Sequence, residues 1–285
     1  MPAAILDGIS TRYEVVGSGP PLLMYSPGGF DATLEKWSAI GVYAKIKILD
    51  HLTKSYTCIM FDRRETGASS GRIEHFGWHD YAVQGKALLD HLGIAKANVL
   101  GGCMGVPCAV AFGVAYPEST RSLTLIWPVG GAAYRINSHL RFSQHLGFVQ
   151  QEGLAGVVEL ARREGKHFGA DPRGGPWVSV LKNDPAFAAA YVKLDVARYS
   201  ALVAGIARTM YDRDTSPGAE PEDLMNLDIP ALVIPGADAA HATSGARYLA
   251  ECLPRAAYWD VAPADQTEAN APARIMEFLG TASAG

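Results

Sequence analysis

Asn98-Val99-Leu100-Gly101-Gly102-Cys103-Met104-Gly105-Val106 is the stretch on which the reading of this chain turns. Asn98 to Leu100 has the character of a buried strand, and the apolar run from Val106 to Tyr116 reads as a helix. Between them lies a glycine-rich turn with one nucleophilic side chain, Cys103. Glycines flanking that turn let strand and helix approach closely, while the residue between them is held in a strained conformation. A helix beginning near Met104 aims free N–H groups and its positive dipole end at the sulfur, a setting that favours thiolate. By itself the same pattern also fits a buried cysteine in an ordinary strand-to-helix turn.

Outward from the turn, strand signals alternate with helical ones, as in a mostly parallel sheet covered on both faces. Strands are expected at Thr11 to Val16, Leu22 to Tyr25, Tyr56 to Phe61, Ser122 to Trp127, Ile229 to Pro235 and Ala257 to Val261. Asp80 is expected to cap a helix carrying Leu88, Leu89 and Leu92 and stopped at Gly93. From about Tyr134 to Tyr211 the alternation gives way to helical periodicity, broken near residues 171–176 and 183–185. The sheet pattern then resumes, with helices near 246–253 and 271–279 and a small-residue end after Leu279 that is expected to fray.

With 285 residues, 48% of them hydrophobic, the chain can bury a large core. A net charge of −4 gives no electrostatic reason to expect nucleic acid or an anionic membrane as partner. The expected partner is a small-molecule substrate, with a homodimer possible. Cys58, Cys103, Cys108 and Cys252 have neither zinc-ligand spacing nor the density of a disulfide scaffold, so no metal and no cofactor is expected. Met1 to Asp7 lacks a basic and apolar leader pattern, and no apolar run reaches membrane-span length; a cytoplasmic location with reduced thiols is the expectation.

Four motifs resemble the α/β-hydrolase superfamily across nearly the whole chain. Leu22 to Gly29 is similar to the family's strand and oxyanion loop, Asp62 to Ser69 to its Asp-x-Arg-Gly-x-Gly-x-Ser loop, and Pro230 to Asp238 to the strand that delivers the triad acid. The fourth is Gly101 to Gly105, which resembles the G-x-S-x-G nucleophile elbow with cysteine for serine, as in dienelactone hydrolases. Polyhydroxyalkanoate synthases share only the elbow. The resemblance implies an α/β fold with a mostly parallel eight-stranded sheet flanked by helices. It implies a core of residues 1–131 and 216–285 and an inserted helical lid of residues 132–215. Two further departures are Glu65 in place of a family glycine and a C-terminal loop, Val261 to Glu268, without histidine; none occurs after His241.

Cysteine tolerates a weakened base better than serine does, because its thiolate is accessible near neutral pH. Acyl chemistry still needs a proton carrier. His241 follows Asp238 at the expected C-terminal edge of the sheet and is the candidate base. Asp265 occupies the loop that normally holds histidine, so acid and base are candidates for having exchanged loops. Each is equally compatible with a solvated loop residue, and His79 is the second-choice base. The oxyanion hole is expected from the N–H of Met104 and that of Gly28, with Gly29 as the alternative donor. Arg63 and Arg64 are expected to pair with carboxylates such as Asp62, and Glu65 to be structural. Most aromatics between Tyr134 and Tyr211 should be core, some lining an apolar cleft, with Arg135 and Arg141 either clamping a carboxylate or solvated. The function expected is cleavage of an ester, lactone or thioester of a small, largely apolar organic acid through an acyl-cysteine intermediate. The alternatives are acyl transfer by the same intermediate and a catalytically silent ligand-binding protein.

Overall fold

Eight strands form one sheet in the computed structural model, which describes residues 2–283. The strands are β1 (Ala3–Leu6), β2 (Ile9–Val16), β3 (Pro21–Tyr25), β4 (Thr57–Phe61), β5 (Ala97–Gly102), β6 (Thr120–Ile126), β7 (Ala231–Ile234) and β8 (Ala256–Tyr258). Their spatial order is β1-β2-β4-β3-β5-β6-β7-β8; β1, β2 and β4 pair antiparallel and all other neighbours parallel. Alternating residues feed two cores. Leu23, Tyr25 and Val99 point to one face, and Leu22, Met24 and Leu100 to the other. β1 went unrecognised in the sequence because a four-residue edge strand, exposed at every second position, carries too little periodicity.

Three short helices, α1 (Lys36–Ala39), α2 (Gly41–Lys45) and α3 (Ile48–Leu52), lead from β3 to β4. Next come α4 (Trp78–His91), after β4, and α5 (Gly105–Ala115), after β5. Asp80 does not cap α4 from outside: it lies in the first turn, where its carboxylate accepts from the Gly77 N–H at 2.7 Å. Between β6 and β7 the chain makes α6 (Ala132–Glu164), α7 (Val178–Asn183), α8 (Pro185–Tyr191), α9 (Val196–Met210) and α10 (Pro221–Met225). Gly153, with φ of 67°, interrupts α6. Asp184 caps α8 by accepting from the Ala186 and Phe187 N–H groups, and Asp195 caps α9 through Arg198 N–H. Asp184, and Asp171 accepting from the Arg173 N–H in the turn at 172–174, are the physical forms of the breaks legible near 183–185 and 171–176.

Finally, α11 (Thr243–Cys252) packs on β7 and β8, and α12 (Ala271–Ser283) packs on β6 and α3 over the opposite face of the sheet. Residues 280–283 continue α12 rather than fraying from it; the last two residues of the expected frayed end lie outside the described residues. No helix among the described residues is long and apolar enough to cross a membrane.

Candidate active site

Cys103 leaves the C-terminal end of β5 with φ of 52°, a left-handed conformation that costs energy in any residue with a Cβ. The surrounding glycines are steric requirements. A Cβ on Gly101 would overlap the Gly105 carbonyl, one on Gly105 the Tyr25 carbonyl, and one on Gly102 the Tyr43 ring. The turn therefore closes only with this spacing, and it presents a half-buried thiol at the start of α5.

His241 arrives from the loop after β7. Its Nδ1 lies 2.8 Å and 2.9 Å from the two Asp238 carboxylate oxygens, and Asp238 also accepts from the His241 N–H at 3.0 Å. Pairing of Gly130 with His241 ties this loop to the one after β6, with the Gly130 N–H donating to Ala240 O at 3.0 Å. The Trp127 ring packs on the imidazole at 5.5 Å between centroids, and Gly236 leaves room for the His241 Cβ. On its other side the imidazole meets the Cys103 thiol, and Nε2 has no other hydrogen-bond partner among the described residues.

Each group shifts the other. Burial opposes thiolate at Cys103, but the imidazole and the backbone N–H groups of Gly28 and Met104 outweigh it, so the thiol titrates below its ordinary value. Burial likewise disfavours imidazolium at His241. The neighbouring sulfur and the Asp238 carboxylate reverse that and carry its pKa up to about 9. The arrangement favours a thiolate–imidazolium pair, with Asp238 holding the ring.

Gly28, with φ of 114°, and Met104 bring their N–H groups to the sulfur. Gly29 lines the same cavity, but its carbonyl is taken by the Arg63 guanidinium. Arg63 departs from expectation. Asp62 accepts instead from Arg12 at 3.3 Å and from the Leu34 and Ala68 N–H groups at 2.9 Å. Arg63 is 1% exposed, meets no carboxylate among the described residues, and reaches Met104 O at 3.4 Å and Cys108 Sγ at 3.2 Å. One buried cation thus ties the Gly29 loop to the residue after the elbow. Arg64 does pair as expected, with Glu65 and Glu74, and Glu65 is buried away from the cavity.

Asp265 is not brought to His241. It is exposed in the turn after β8, and Asp238 takes the imidazole contact because the loop after β7 folds back within three residues. That correction leaves the histidine, but not the expected acid, exchanged between loops. The β8 loop contributes Gln266, which sequence reasoning missed. Its Oε1 accepts from Trp127 Nε1 at 2.7 Å, and its amide donates to Pro235 O and Val261 O. Gln266 thus supports the ring that packs on His241, and a lone glutamine in a polar loop carries no sequence signal for it. His79 is exposed at the start of α4 and lines a different cleft.

A cavity of about 280 Å³ opens over Cys103. Gly28, Phe30 and Met104 form its floor, while Tyr134, Phe142 and Tyr211 come from the helical segment between β6 and β7. Tyr191 and Tyr199 pack on each other within that segment, whereas Trp177 reaches across to the loop after β4, donating to Arg72 O at 2.9 Å and packing on Phe76.

Residues 21–154 match the family described as the alpha/beta hydrolase fold. Together with the sheet order, that match gives the chain the α/β-hydrolase fold. A curated relative, the dihydrolipoyllysine-residue acetyltransferase component of an acetoin cleaving system from Cupriavidus necator, is 31% identical over 127 residues, 45% of this chain. The match spans about a third of that relative's length (32%). Among solved structures, the enol-lactonase of Burkholderia xenovorans is 20% identical with a TM-score of 0.62, covering 98% of this chain and 100% of its own. The meta-cleavage product hydrolase of Pseudomonas fluorescens is 17% identical with a TM-score of 0.59, covering 99% and 98%. An esterase from Thermogutta terrifontis is 19% identical with a TM-score of 0.61, covering 96% and 94%. At these identities the structural likeness concerns the fold.

Proposed function

We propose that this α/β-hydrolase cleaves an ester, lactone or thioester of a small, largely apolar organic acid, with Cys103 as nucleophile. The observation that carries the reading is the Cys103–His241–Asp238 alignment beside the N–H groups of Gly28 and Met104. Sγ attacks the acyl carbon, and the carbonyl oxygen takes the negative charge against those two N–H groups. The tetrahedral adduct collapses, the imidazolium gives its Nε2 proton to the leaving oxygen or sulfur, and an acyl-cysteine remains. Water then loses a proton to Nε2 and attacks the thioester, releasing the acid and restoring the thiolate. In this reading residues 132–215 act as a lid over the core of residues 1–131 and 216–285. Enol-lactonase and esterase neighbours, though similar only in fold, point the same way.

Acyl transfer to an alcohol or thiol acceptor is the second reading, favoured by a thioester intermediate in a cavity with mostly apolar walls and by the name of the 31% identical relative. A panel of aryl esters, lactones and thioesters, assayed with and without added acceptors, tests both readings. Mass spectrometry of quenched reactions should find the acyl group on the Cys103 peptide, and Cys103→Ala should abolish both adduct and turnover. Turnover that survives Cys103→Ala would sink the mechanism; stoichiometric binding with no adduct would favour a silent binding protein.

A further inference from the structure

We propose that the substrate carries a free carboxylate, recognised by Arg141 on the helical wall of the Cys103 cavity; the substrate assignment rests on the acyl-cysteine reading above. Tyr134, Ser138, Arg141 and Phe142 all line the cavity, and their spacing of four, seven and eight residues along α6 puts them on one helical face. A guanidinium thus sits on the stripe that otherwise supplies two aromatic rings and the hydroxyls of Tyr134 and Ser138. No aspartate or glutamate lines the cavity. Arg135, one residue beyond Tyr134, meets Asp214 at 3.2 Å, whereas Arg141 has no ion pair or hydrogen bond from its side chain among the described residues.

The surroundings add to the bias. Arg63 places a second guanidinium without a carboxylate partner behind the floor, against Gly29 and Met104. The Asp238 charge is engaged by His241. A neutral ligand filling the cavity would strip water from Arg141 and return nothing. A carboxylate would offset that desolvation with charge-assisted, potentially bidentate hydrogen bonds. The cavity therefore selects anions by leaving a cation unpaired when the ligand is neutral. At about 280 Å³ it suits a short acyl chain bearing a terminal acid, such as an ester, lactone or thioester of a small dicarboxylic or keto acid.

The test compares the mono-p-nitrophenyl ester of glutaric acid with its neutral methyl-capped counterpart in wild type, Arg141→Gln and Arg141→Lys. Wild type should prefer the anionic ester. In Arg141→Gln its KM should rise roughly 10- to 100-fold and the anionic-to-neutral preference in kcat/KM should collapse toward one, with Arg141→Lys between. A second readout needs no turnover: glutarate should slow iodoacetamide labelling of Cys103 in wild type but not in Arg141→Gln. Cys103-dependent turnover with no preference for the anion, or no protection by glutarate, would overturn the carboxylate site. Protection that depends on Arg141 without any acyl-cysteine would uphold the site and overturn the acyl-enzyme reading instead.

Discussion

Four cysteines differ in this chain by what surrounds each sulfur. Burial pushes the Cys58 thiol up to about 12 and raises Cys108 and Cys252, whereas His241 and two backbone N–H groups lower Cys103. Iodoacetamide reacts with thiolate, so at pH 6.5 peptide mapping should find Cys103 modified well before the other three. His241→Ala removes the imidazolium, and the labelling midpoint should move up toward the ordinary thiol value of about 8.5. Loss of that proton carrier should also lower turnover roughly 100-fold or more. Asp238→Asn should share part of both effects and Asp265→Asn neither, because only Asp238 touches the ring. Unchanged labelling in His241→Ala would remove histidine from the account and leave α5 as the source of thiol activation.

Between the elements, α6 and α9 are joined by a buried polar chain. The imidazole of His145 meets Arg173 O at 2.8 Å through Nδ1 and the Tyr199 hydroxyl at 2.6 Å through Nε2. Tyr191 donates to the Tyr199 oxygen at 2.6 Å. Burial holds the His145 pKa down to about 4, from an ordinary 6.5, so the folded chain keeps this ring neutral where the unfolded chain already binds a proton. The sign follows. The contribution is intact above about pH 6.5, is lost as pH falls toward 4, and amounts to on the order of 3 kcal/mol across that window. Urea unfolding at pH 7.5 and 4.5 should therefore show a larger acid loss in wild type than in His145→Gln. Equal losses would mean that the ring does not report on folding. The spacing of aromatics across these helices was legible; that a histidine at position 145 would be sealed among them was not, since its partners lie 28 and 54 residues away.

At the scale of the molecule, the cavity exists only where the sheet's C-terminal edge meets the segment between β6 and β7. Tyr134, Phe142, Phe168 and Tyr211 close over Cys103 from that segment, and Phe30 packs on Phe142 and Phe168 at 5.9 Å and 5.3 Å across the boundary. A ligand seated between the two halves adds contacts to both, so amide exchange near residues 134–145 and 166–170 should slow when glutarate binds. The core strands β3 and β5 should change little. Protection spread evenly over the chain, or confined to the opposite edge of the sheet, would speak against a lid.

Strand alternation, the glycine spacing around Cys103 and the helical interruption after β6 are local patterns, and from them the sequence determined the fold and the nucleophile candidate. A Cβ that cannot fit at Gly101 or Gly105 is a constraint written in consecutive residues. What only the tertiary structure decided are contacts between residues distant in the chain. Asp238, not Asp265, holds His241; Gln266 steadies Trp127 across 139 residues; Arg63 binds two backbone carbonyls and a sulfur instead of Asp62. Arg135 finds Asp214 while Arg141, six residues on, finds the cavity. Charge and hydrogen-bonding capacity are properties of a residue, but their partners are set by which loops the sheet brings to its C-terminal edge, and no periodicity in the sequence encodes that.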